Sequence, residues 1–256
     1  MKARVGTKGV ALVAVFAALF TVLTLLPGIP IIGGKGRIEL AASLAPLFGI
    51  VLGPWLGALA AFLGALLAWA LPPGSPDPFT GLLMLAPTIS SLTAGLATSK
   101  KIGRVEGWIP AALVLGILVL AWYATWVGAR APLYPVLHVA GLVLIVVLGR
   151  RLAEYLRSNA RSKMALAVVV SSYCGIVADH MVGNLAFIAS LGVFIPLEVI
   201  SAWLKGLGLP DVPSLFMFTL PISAAERLAM TAVAALVGIP LVATLKTAAP
   251  HLAERK

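Results

Sequence analysis

The sequence predicts an all-α integral membrane protein with about eight membrane-spanning helices, and three observations support this prediction. Hydrophobic residues make up 61% of the 256-residue chain and charged residues only 11%, which no soluble globular domain matches. The apolar residues form eight long runs, and a chain that crosses hydrocarbon must satisfy its own backbone, as a helix does. The basic residues gather in short clusters between these runs, where they set membrane topology.

The eight apolar runs define the predicted helices. They cover about residues 9–26, 38–53, 55–71, 80–98, 108–127, 132–149, 165–191 and 220–245. The first has a basic start like a secretory signal, but it is long for one, and Pro-Gly-Ile-Pro follows it instead of a small-residue cleavage site. We therefore interpret it as a spanning helix. A Gly53-Pro54 corner divides the second run from the third, and Pro87 predicts a break or tilt in the fourth.

The distribution of basic residues predicts the orientation of the chain. With the N-terminus in the cytoplasm, 14 of the 19 lysines and arginines fall on the cytoplasmic side. Lys35, Arg37, Arg130 and Lys205 fall outside, and Arg227 lies within the last helix. This bias follows the positive-inside rule. We expect one membrane domain over residues 1–256, with both termini in the cytoplasm of a prokaryotic cell and eight passes through its plasma membrane.

Small residues predict close helix packing in the second and third runs. Gly49, Gly53 and Gly57 recur four residues apart, a spacing that lets helix backbones approach one another in lipid. In the first run, Ala14 and Ala18 have the same spacing and form a smooth alanine face. That face predicts a close contact, either with a partner protein or within this chain.

The seventh run contains a polar stretch, SSYCGIVADHMVGN, from Ser171 to Asn184. Ionisable groups are costly at membrane depth and usually face a protein interior or a wet cavity. Asp179 and Ser172 lie on one helix face, and His180 and Asn184 form a neighbouring pair four residues apart. The stretch is therefore either one wall of a polar cavity or a hydrogen-bonded lock between helices.

Other polar residues are expected at a similar, outer depth of the membrane. Because buried carboxylates need partners, we predict a cluster of Asp179, His180, Asn184 and Glu226, with Arg227 paired to one of them or bound to a substrate anion. Simple charge pairing of the last two helices is the alternative. The full set of predicted binding residues is Arg37, Glu39, Ser91, Asp179, His180, Asn184, Glu226 and Arg227.

Several kinds of chemistry find no support in the sequence. The segment 33–36 has a lysine among glycines, but no Ser or Thr follows it as a nucleotide-binding loop requires. His138, His180 and His251 are far apart, so no metal cluster or cofactor is predicted, and no motif indicates a nucleophile. The net charge of +10 comes from the basic clusters between the apolar runs, which set membrane topology, and does not indicate nucleic-acid binding. The single cysteine, Cys174, excludes a disulfide within the chain.

The segment 38–64, IELAASLAPLFGIVLGPWLGALAAFLG, resembles the substrate-binding S components of energy-coupling factor (ECF) transporters. Those proteins carry such a Gly-Pro hairpin after a first helix with an AxxxA motif. The matching positions are Gly53, Pro54, Gly57 and Gly64, with Ala14 and Ala18 in the first helix. The resemblance covers residues 8–104 well and 165–248 loosely. S components typically have six helices, so residues 108–149 are expected to be an inserted helix pair.

The resemblance implies a function. An S component is not an enzyme; it binds a vitamin or similar micronutrient with high affinity in a cavity near the outer face. A transmembrane T component and two ABC-type ATPases supply the energy, and Ala14 and Ala18 would be the docking face for the T component. The alternatives are an autonomous secondary transporter, coupled to protons through Asp179 or Glu226, and an enzyme of membrane chemistry.

The outer loops and aromatic residues lead to two further expectations. The long loop 192–219 contains an amphipathic stretch from Phe194 to Lys205, which we expect to cover the cavity as a lid together with loops 27–37 and 72–79. Four aromatic residues near outer helix ends are expected mainly in the interfacial aromatic belt, with stacking of one of them on a ligand as the alternative: Trp69, Trp122, Tyr123 and Trp126.

Overall fold

The structure, a computed structural model, describes residues 6–30, 37–74 and 76–248, with the backbone alone at 29, 30, 37 and 38. Its helices are α1 Thr7–Leu25, α2 Leu40–Leu52, α3 Pro54–Ala70, α4 Pro78–Leu83, α5 Leu85–Thr98, α6 Trp108–Tyr123, α7 Trp126–Arg130, α8 Val136–Arg157, α9 Arg161–Ser190, α10 Leu197–Leu207 and α11 Val212–Ala248. Two short antiparallel hairpins pair β1 Ile29–Pro30 with β2 Arg37–Ile38, and β3 Lys101–Ile102 with β4 Val105–Glu106.

Each predicted apolar run contains a helix, so the prediction of an all-α membrane protein is confirmed. Within the described residues, five helical segments are long and apolar enough to cross a membrane: Thr7–Leu25, Pro78–Thr98, Val136–Arg157, Arg161–Ser190 and Val212–Ala248. The helices α2, α3 and α6 are shorter, with 13, 17 and 16 residues. The number of crossings and the orientation of the termini stay predictions.

One helix break agrees with the sequence-based expectation and one helix boundary differs from it. The fourth run breaks at Met84, near Pro87 as predicted, and Pro87 itself lies in the first turn of α5. A proline is tolerated there because backbone N–H groups in the first turn have no partner within the helix. The last helix begins at Val212, eight residues before the predicted start at 220, and continues through Pro221.

The glycines of α2 and α3 act in two different ways. A Cβ atom on Gly49 would lie 1.8 Å from the carbonyl oxygen of Ser91 in α5, and one on Gly57 would lie 2.6 Å from the carbonyl oxygen of Phe48. Both glycines therefore permit backbone contact, as the spacing predicted. Gly53 is the corner between α2 and α3, with φ of 88°, which L side chains rarely adopt, and its predicted role in helix packing stays a prediction.

The helix pair formed by α6 and α8 belongs to the main core. Ala111 and Leu115 of α6 and Ile145 of α8 are fully buried in the same cluster as Val168 and Cys174 of α9. The Cys174 thiol also donates to the Gly141 carbonyl of α8, 3.4 Å away. The pair therefore shares buried surface with α9. That it is an insertion into a six-helix ancestor stays a prediction.

The aromatic residues do not all lie at the interface. Trp122 is fully buried and stacks on Tyr134 with ring centroids 4.7 Å apart, so its assignment to the aromatic belt is wrong. The indole N–H donates to the Ala131 carbonyl, which satisfies the polar end of the ring away from water. Tyr123 and Trp126 are exposed, as residues of such a belt would be.

Candidate functional site

A cavity of about 560 Å³ opens at the end of the helix bundle where α9 ends and α2 begins. Helices α1, α2, α3, α4, α5, α9 and α11 contribute to its wall, together with the loop before α4. Its polar lining residues are Thr24, Glu39, Asp77, Thr80, Asp179, His180, Asn184 and Arg227. Such a volume is in the usual range for small-molecule sites, roughly 300–1,000 Å³.

Helix α9 supplies the polar centre of this wall. Asp179, His180, Gly183 and Asn184 all line the cavity, because residues three and four apart share a helix face. Asp179 is 9% exposed, and its Oδ1 atom has no hydrogen-bond partner among the described residues. The Nδ1 atom of His180 and the Nδ2 atom of Asn184 are likewise buried and unpartnered within the described chain. Buried polar groups left unpaired are costly, so this wall is built to be completed by water or by a ligand.

Tyr134 supports this wall from behind. Its hydroxyl oxygen lies 3.3 Å from His180 Nε2 and 3.4 Å from Asn184 Oδ1. Its ring packs edge-on against Phe216 of α11, and the imidazole of His180 stacks on that of His138 at 5.3 Å. Sequence analysis did not single out Tyr134, since it is 46 residues from His180 in the chain.

Arg227 of α11 faces the same cavity and is paired with its own neighbour. Its guanidinium lies 2.9 Å from the Glu226 carboxylate. Glu226 does not line the cavity and reaches it only through this pair. Asp179, His180 and Asn184 therefore line one cavity with Arg227, whereas Glu226 lies behind Arg227, and the described residues form no salt bridge between α9 and α11. That these residues act as one substrate-binding cluster stays a prediction. The Arg227 Nε atom is buried and has no partner in the described part of the chain.

The opposite wall consists of the start of α2 and the start of α4. Glu39 lines the cavity just before α2, where its carbonyl oxygen accepts from the Ser43 hydroxyl. Asp77 caps α4 by accepting from the Phe79 and Thr80 amides at 2.9 and 3.0 Å. The hydrogen bonds from the side chain and backbone of Thr80 hold the pKa of Asp77 below its usual value.

Trp69, Asp77 and Thr80 also line the cavity, and Asp77 belongs to the loop 72–79 that was expected over its mouth, whereas the lining by Thr80 was not predicted. The Trp69 indole N–H donates to the Thr80 hydroxyl at 3.1 Å, so the ring is held at the cavity and not in an interfacial belt. The Asp-Pro-Phe-Thr segment before α4 carried one usable signal: aspartate followed by proline is typical of a helix N-terminus. Its position beside the cavity depends on the tertiary fold.

Three expectations need correction or fall outside the description. Ser91 does not line the cavity: it lies one turn deeper than the lining residue Pro87, fully buried against α2. No described residue of 192–219 lines the cavity, because α10 packs through Ile200 against the cluster that contains Phe216. The lid is therefore not formed by this segment. The side chain of Arg37 lies outside the described part of the structure. Its backbone pairs with Pro30 in the first hairpin.

Comparisons with known proteins give a consistent result. A family model described as "ECF-type riboflavin transporter, S component" matches residues 4–192. An uncharacterised protein of Methanocaldococcus jannaschii is 29% identical over 161 residues, 62% of this chain and 52% of that protein, so the chain spans about half its length. The biotin transporter BioY of Rhodobacter capsulatus is 31% identical over 188 residues, 73% of this chain and 90% of that protein. No solved structure matches at comparable significance.

Proposed function

The chain belongs to the family of ECF-type riboflavin transporter S components, and on this premise we propose that its cavity binds a vitamin or related micronutrient for import. Binding a transport substrate is the task of such a subunit. The proposal goes further in assigning this task to the cavity walled by Asp179, His180, Asn184 and Arg227. We also propose that partner ATPase subunits and a T component supply the energy.

The unpartnered polar atoms around the cavity are the observation that supports this site most directly. Four residues of one wall each leave a buried nitrogen or oxygen without a described partner: Asp179, His180, Asn184 and Arg227. An isolated carboxylate or amide in an apolar membrane domain is expensive, and hydrogen bonds to a ligand would recover that cost. A lock between helices, the alternative interpretation, would instead pair these groups with one another.

The substrate itself is the finer part of the proposal. The family description names riboflavin and the bacterial relative is a biotin transporter, and both compounds are small enough to fit such a cavity. Both also carry ring N–H and carbonyl groups. We therefore propose a vitamin-like heterocycle as the substrate, with the polar wall of α9 as its main contact.

The binding site can be tested by filling the cavity. Gly183 lines it, and a Cβ atom at this position would meet no atom within 4 Å. We expect Gly183→Leu to fold normally and to abolish binding, because the added side chain occupies the space of the ligand. Full-length protein should be examined by native mass spectrometry for a retained small molecule and by titration with a panel of vitamins.

A matched control exists on another helix. Gly116 of α6 also has open space around its Cβ position and does not line the cavity, so Gly116→Leu should bind like the unmodified protein. Unchanged binding by Gly183→Leu would place the substrate elsewhere. Absence of any bound or titrated vitamin in the unmodified protein would argue against the proposed function as a whole.

The partner proposal rests on the exposed face of α1. Val13, Ala17 and Phe20 are buried on one side of this helix, whereas Ala14 and Ala18 lie exposed on the other. A flat alanine surface allows a partner helix to approach closely in lipid. We expect Ala14→Val with Ala18→Val to preserve ligand binding and to reduce co-purification with a T component. Ala140→Val, on the exposed side of α8, is the control, and equal co-purification of all three proteins would refute the docking face.

Asp179 is the basis of one alternative function, a proton-coupled secondary transporter, which experiment can test. A buried carboxylate without a described partner is the kind of group that a proton-coupled secondary transporter uses. Uptake by this chain alone in proteoliposomes, abolished by a protonophore, would favour that function. Uptake that requires co-reconstituted ATPase subunits would favour the proposal made here.

A further inference from the structure

Tyr134 is buried between the cavity wall and two aromatic residues, Trp122 of α6 and Phe216 of α11. It is 2% exposed and does not line the cavity, yet its hydroxyl contacts two residues that do. Trp122 stacks on its ring at 4.7 Å and Phe216 packs against its edge at 4.9 Å. These contacts fix the ring, and with it the position of the hydroxyl group.

The hydrogen-bonding capacity of a phenol restricts how its neighbours are arranged. A tyrosine hydroxyl has one proton to donate and can accept further bonds, whereas a neutral imidazole has one donor and one acceptor nitrogen. The hydroxyl of Ser223 also hydrogen-bonds the Tyr134 side chain and can donate to its oxygen, whereas Asn184 Oδ1 can only accept. We therefore direct the Tyr134 proton to Asn184 Oδ1. The contact with His180 Nε2 is then a bond in which the imidazole N–H donates to the Tyr134 oxygen.

This arrangement determines what the two residues offer to a ligand. If His180 carries its proton on Nε2, its Nδ1 atom is an acceptor, and if Asn184 uses Oδ1 for Tyr134, its Nδ2 atom is a donor. Neither atom has a partner in the described part of the protein. Asp179 Oδ1 adds a second acceptor and Arg227 Nε a second donor on the same wall.

We propose that Tyr134 is a positioning residue that sets His180 as an acceptor and Asn184 as a donor, so that the site selects a ligand with adjacent N–H and C=O groups. A cyclic amide, imide or urea has this pattern. The proposal rests on the proposed function of the cavity as a vitamin site. It also gives the helix pair 108–149, which carries Tyr134, a role in binding beyond packing.

The groups around the cavity disfavour a ligand recognised mainly through an anionic group. Among its described lining residues, Glu39, Asp77 and Asp179 are carboxylic acids. The guanidinium of Arg227, the cation among these described residues, is already paired with Glu226. A carboxylate or phosphate on the ligand would therefore meet several carboxyl groups and a cation that already has a counter-charge.

The role of Tyr134 can be measured without a ligand. In full-length protein labelled with ¹⁵N-histidine, we expect the His180 resonances, assigned by comparison with His180→Gln, to show the tautomer protonated at Nε2. Tyr134→Phe removes only the hydroxyl and keeps the ring packing, so it should shift His180 to a mixture of tautomers. Tyr123→Phe is the control, because that hydroxyl bonds the Pro132 carbonyl and is exposed. An Nδ1-protonated tautomer in the unmodified protein, or no change in Tyr134→Phe, would overturn the proposal.

The ligand class is tested by titration with named probes. We expect riboflavin, lumazine or biotin methyl ester to bind, and Tyr134→Phe to weaken that binding by about 3- to 10-fold, the effect of one neutral hydrogen bond. Asn184→Asp keeps the acceptor toward Tyr134 and replaces the amide donor, so it should weaken binding by about 10-fold or more even if Tyr134→Phe folds poorly.

The remaining outcomes separate the two proposals. Binding of nicotinate, pantothenate or thiamine in place of all the cyclic amides would refute the ligand class and leave vitamin binding intact. Binding of none of these compounds would refute both the ligand class and the proposed function. Equal affinity of Tyr134→Phe and the unmodified protein would show that Tyr134 only packs.

Discussion

The two halves of α9 are built from similar residues but have opposite surroundings. In the N-terminal half, Ser171, Ser172 and Cys174 are fully buried, and a Cβ atom on Gly175 would lie 2.7 Å from the Ser90 carbonyl oxygen of α5. In the C-terminal half, Asp179, His180, Gly183 and Asn184 line a cavity, and a Cβ atom on Gly183 would meet nothing within 4 Å. The helix is continuous across the change.

The difference shows that the neighbours of α9, and not its own composition, decide where the space for a ligand lies. Small residues let α5 and α2 approach the first half at backbone distance. Because α5 begins only after the break at Met84 and α2 begins only at Leu40, neither continues as a full helix beside the second half. Polar residues are buried in both halves, but only the second is open to a solute.

The largest difference in stability is expected when the same substitution, glycine to leucine, is made in each half of α9. Gly175→Leu forces a side chain into the backbone of α5, where overpacking of a close-packed core costs several kcal/mol, so we expect loss of folded protein. Gly183→Leu, two turns along the same helix, should fold. Size-exclusion chromatography and thermal unfolding of both full-length variants provide the measurement. Similar folded yields would show that the first half is not packed as described.

A smaller effect is expected from replacing the carboxyl group of Asp179, which lies in the C-terminal half of α9. Asp179→Asn keeps the shape of the side chain and replaces a carboxyl oxygen that can accept with an amide that donates, so we expect binding of the substrate to weaken by about 10- to 100-fold. Glu198→Gln, on the exposed surface of α10, makes the same carboxyl-to-amide change away from the cavity and should have no effect. Equal affinities of these two variants in a calorimetric titration would contradict a role for Asp179.

The stability of the cavity wall formed by α4 should depend on pH. Hydrogen bonds from Thr80 lower the pKa of Asp77 from its usual value of 3.8, so its cap on α4 is fully effective above that value. The cap is lost as the pH falls through the lowered pKa. We expect the melting temperature to fall in that acidic range, and to fall less in Asp77→Asn, which lacks the titrating carboxylate. Parallel pH profiles for the two proteins would show that the cap does not stabilise the fold.

The smallest effect on stability and binding is expected in the N-terminal half of α9. Ser172 is fully buried, and its hydroxyl has no described partner, so replacing it with alanine removes no known hydrogen bond. Ser172→Ala should change the free energy of unfolding by less than about 1 kcal/mol and leave ligand affinity unchanged. A large loss of affinity would mean that the polar path of the cavity extends deeper than its described floor at Pro87 and Asp179.

The sequence was sufficient to predict the helices and one wall of the candidate site. Long apolar runs identify membrane helices because lipid imposes a simple rule on the backbone. The spacing of Asp179, His180 and Asn184 placed them on neighbouring faces of one helix, and the structure has them on one cavity wall. Gly49 and Gly57 were identified as close packing residues for the same reason: local periodicity determines which side chains share a face.

Contacts between segments that are distant in the sequence could not be predicted from this periodicity. Tyr134 reaches His180 across 46 residues, and no periodicity relates the two. Ser91 had a suitable residue type but lies one turn below the cavity floor, a difference in depth that a run of apolar residues does not reveal. The amphipathic pattern of α10 was read as a lid, yet its apolar residue Ile200 packs against the aromatic cluster beside the cavity.

The corner at Gly53 has a mechanical consequence for transport. A single residue joins α2 to α3, and a Cβ atom on Gly95 of α5 would lie 2.6 Å from the backbone of Pro54, directly after that corner. Helices in such contact cannot slide past one another without unpacking, so α2, α3 and α5 behave as one stiff arm. If the cavity binds the substrate as proposed, release toward the opposite side of the membrane would need either displacement of α11 and α4 relative to this arm or reorientation of the entire protein in the bilayer.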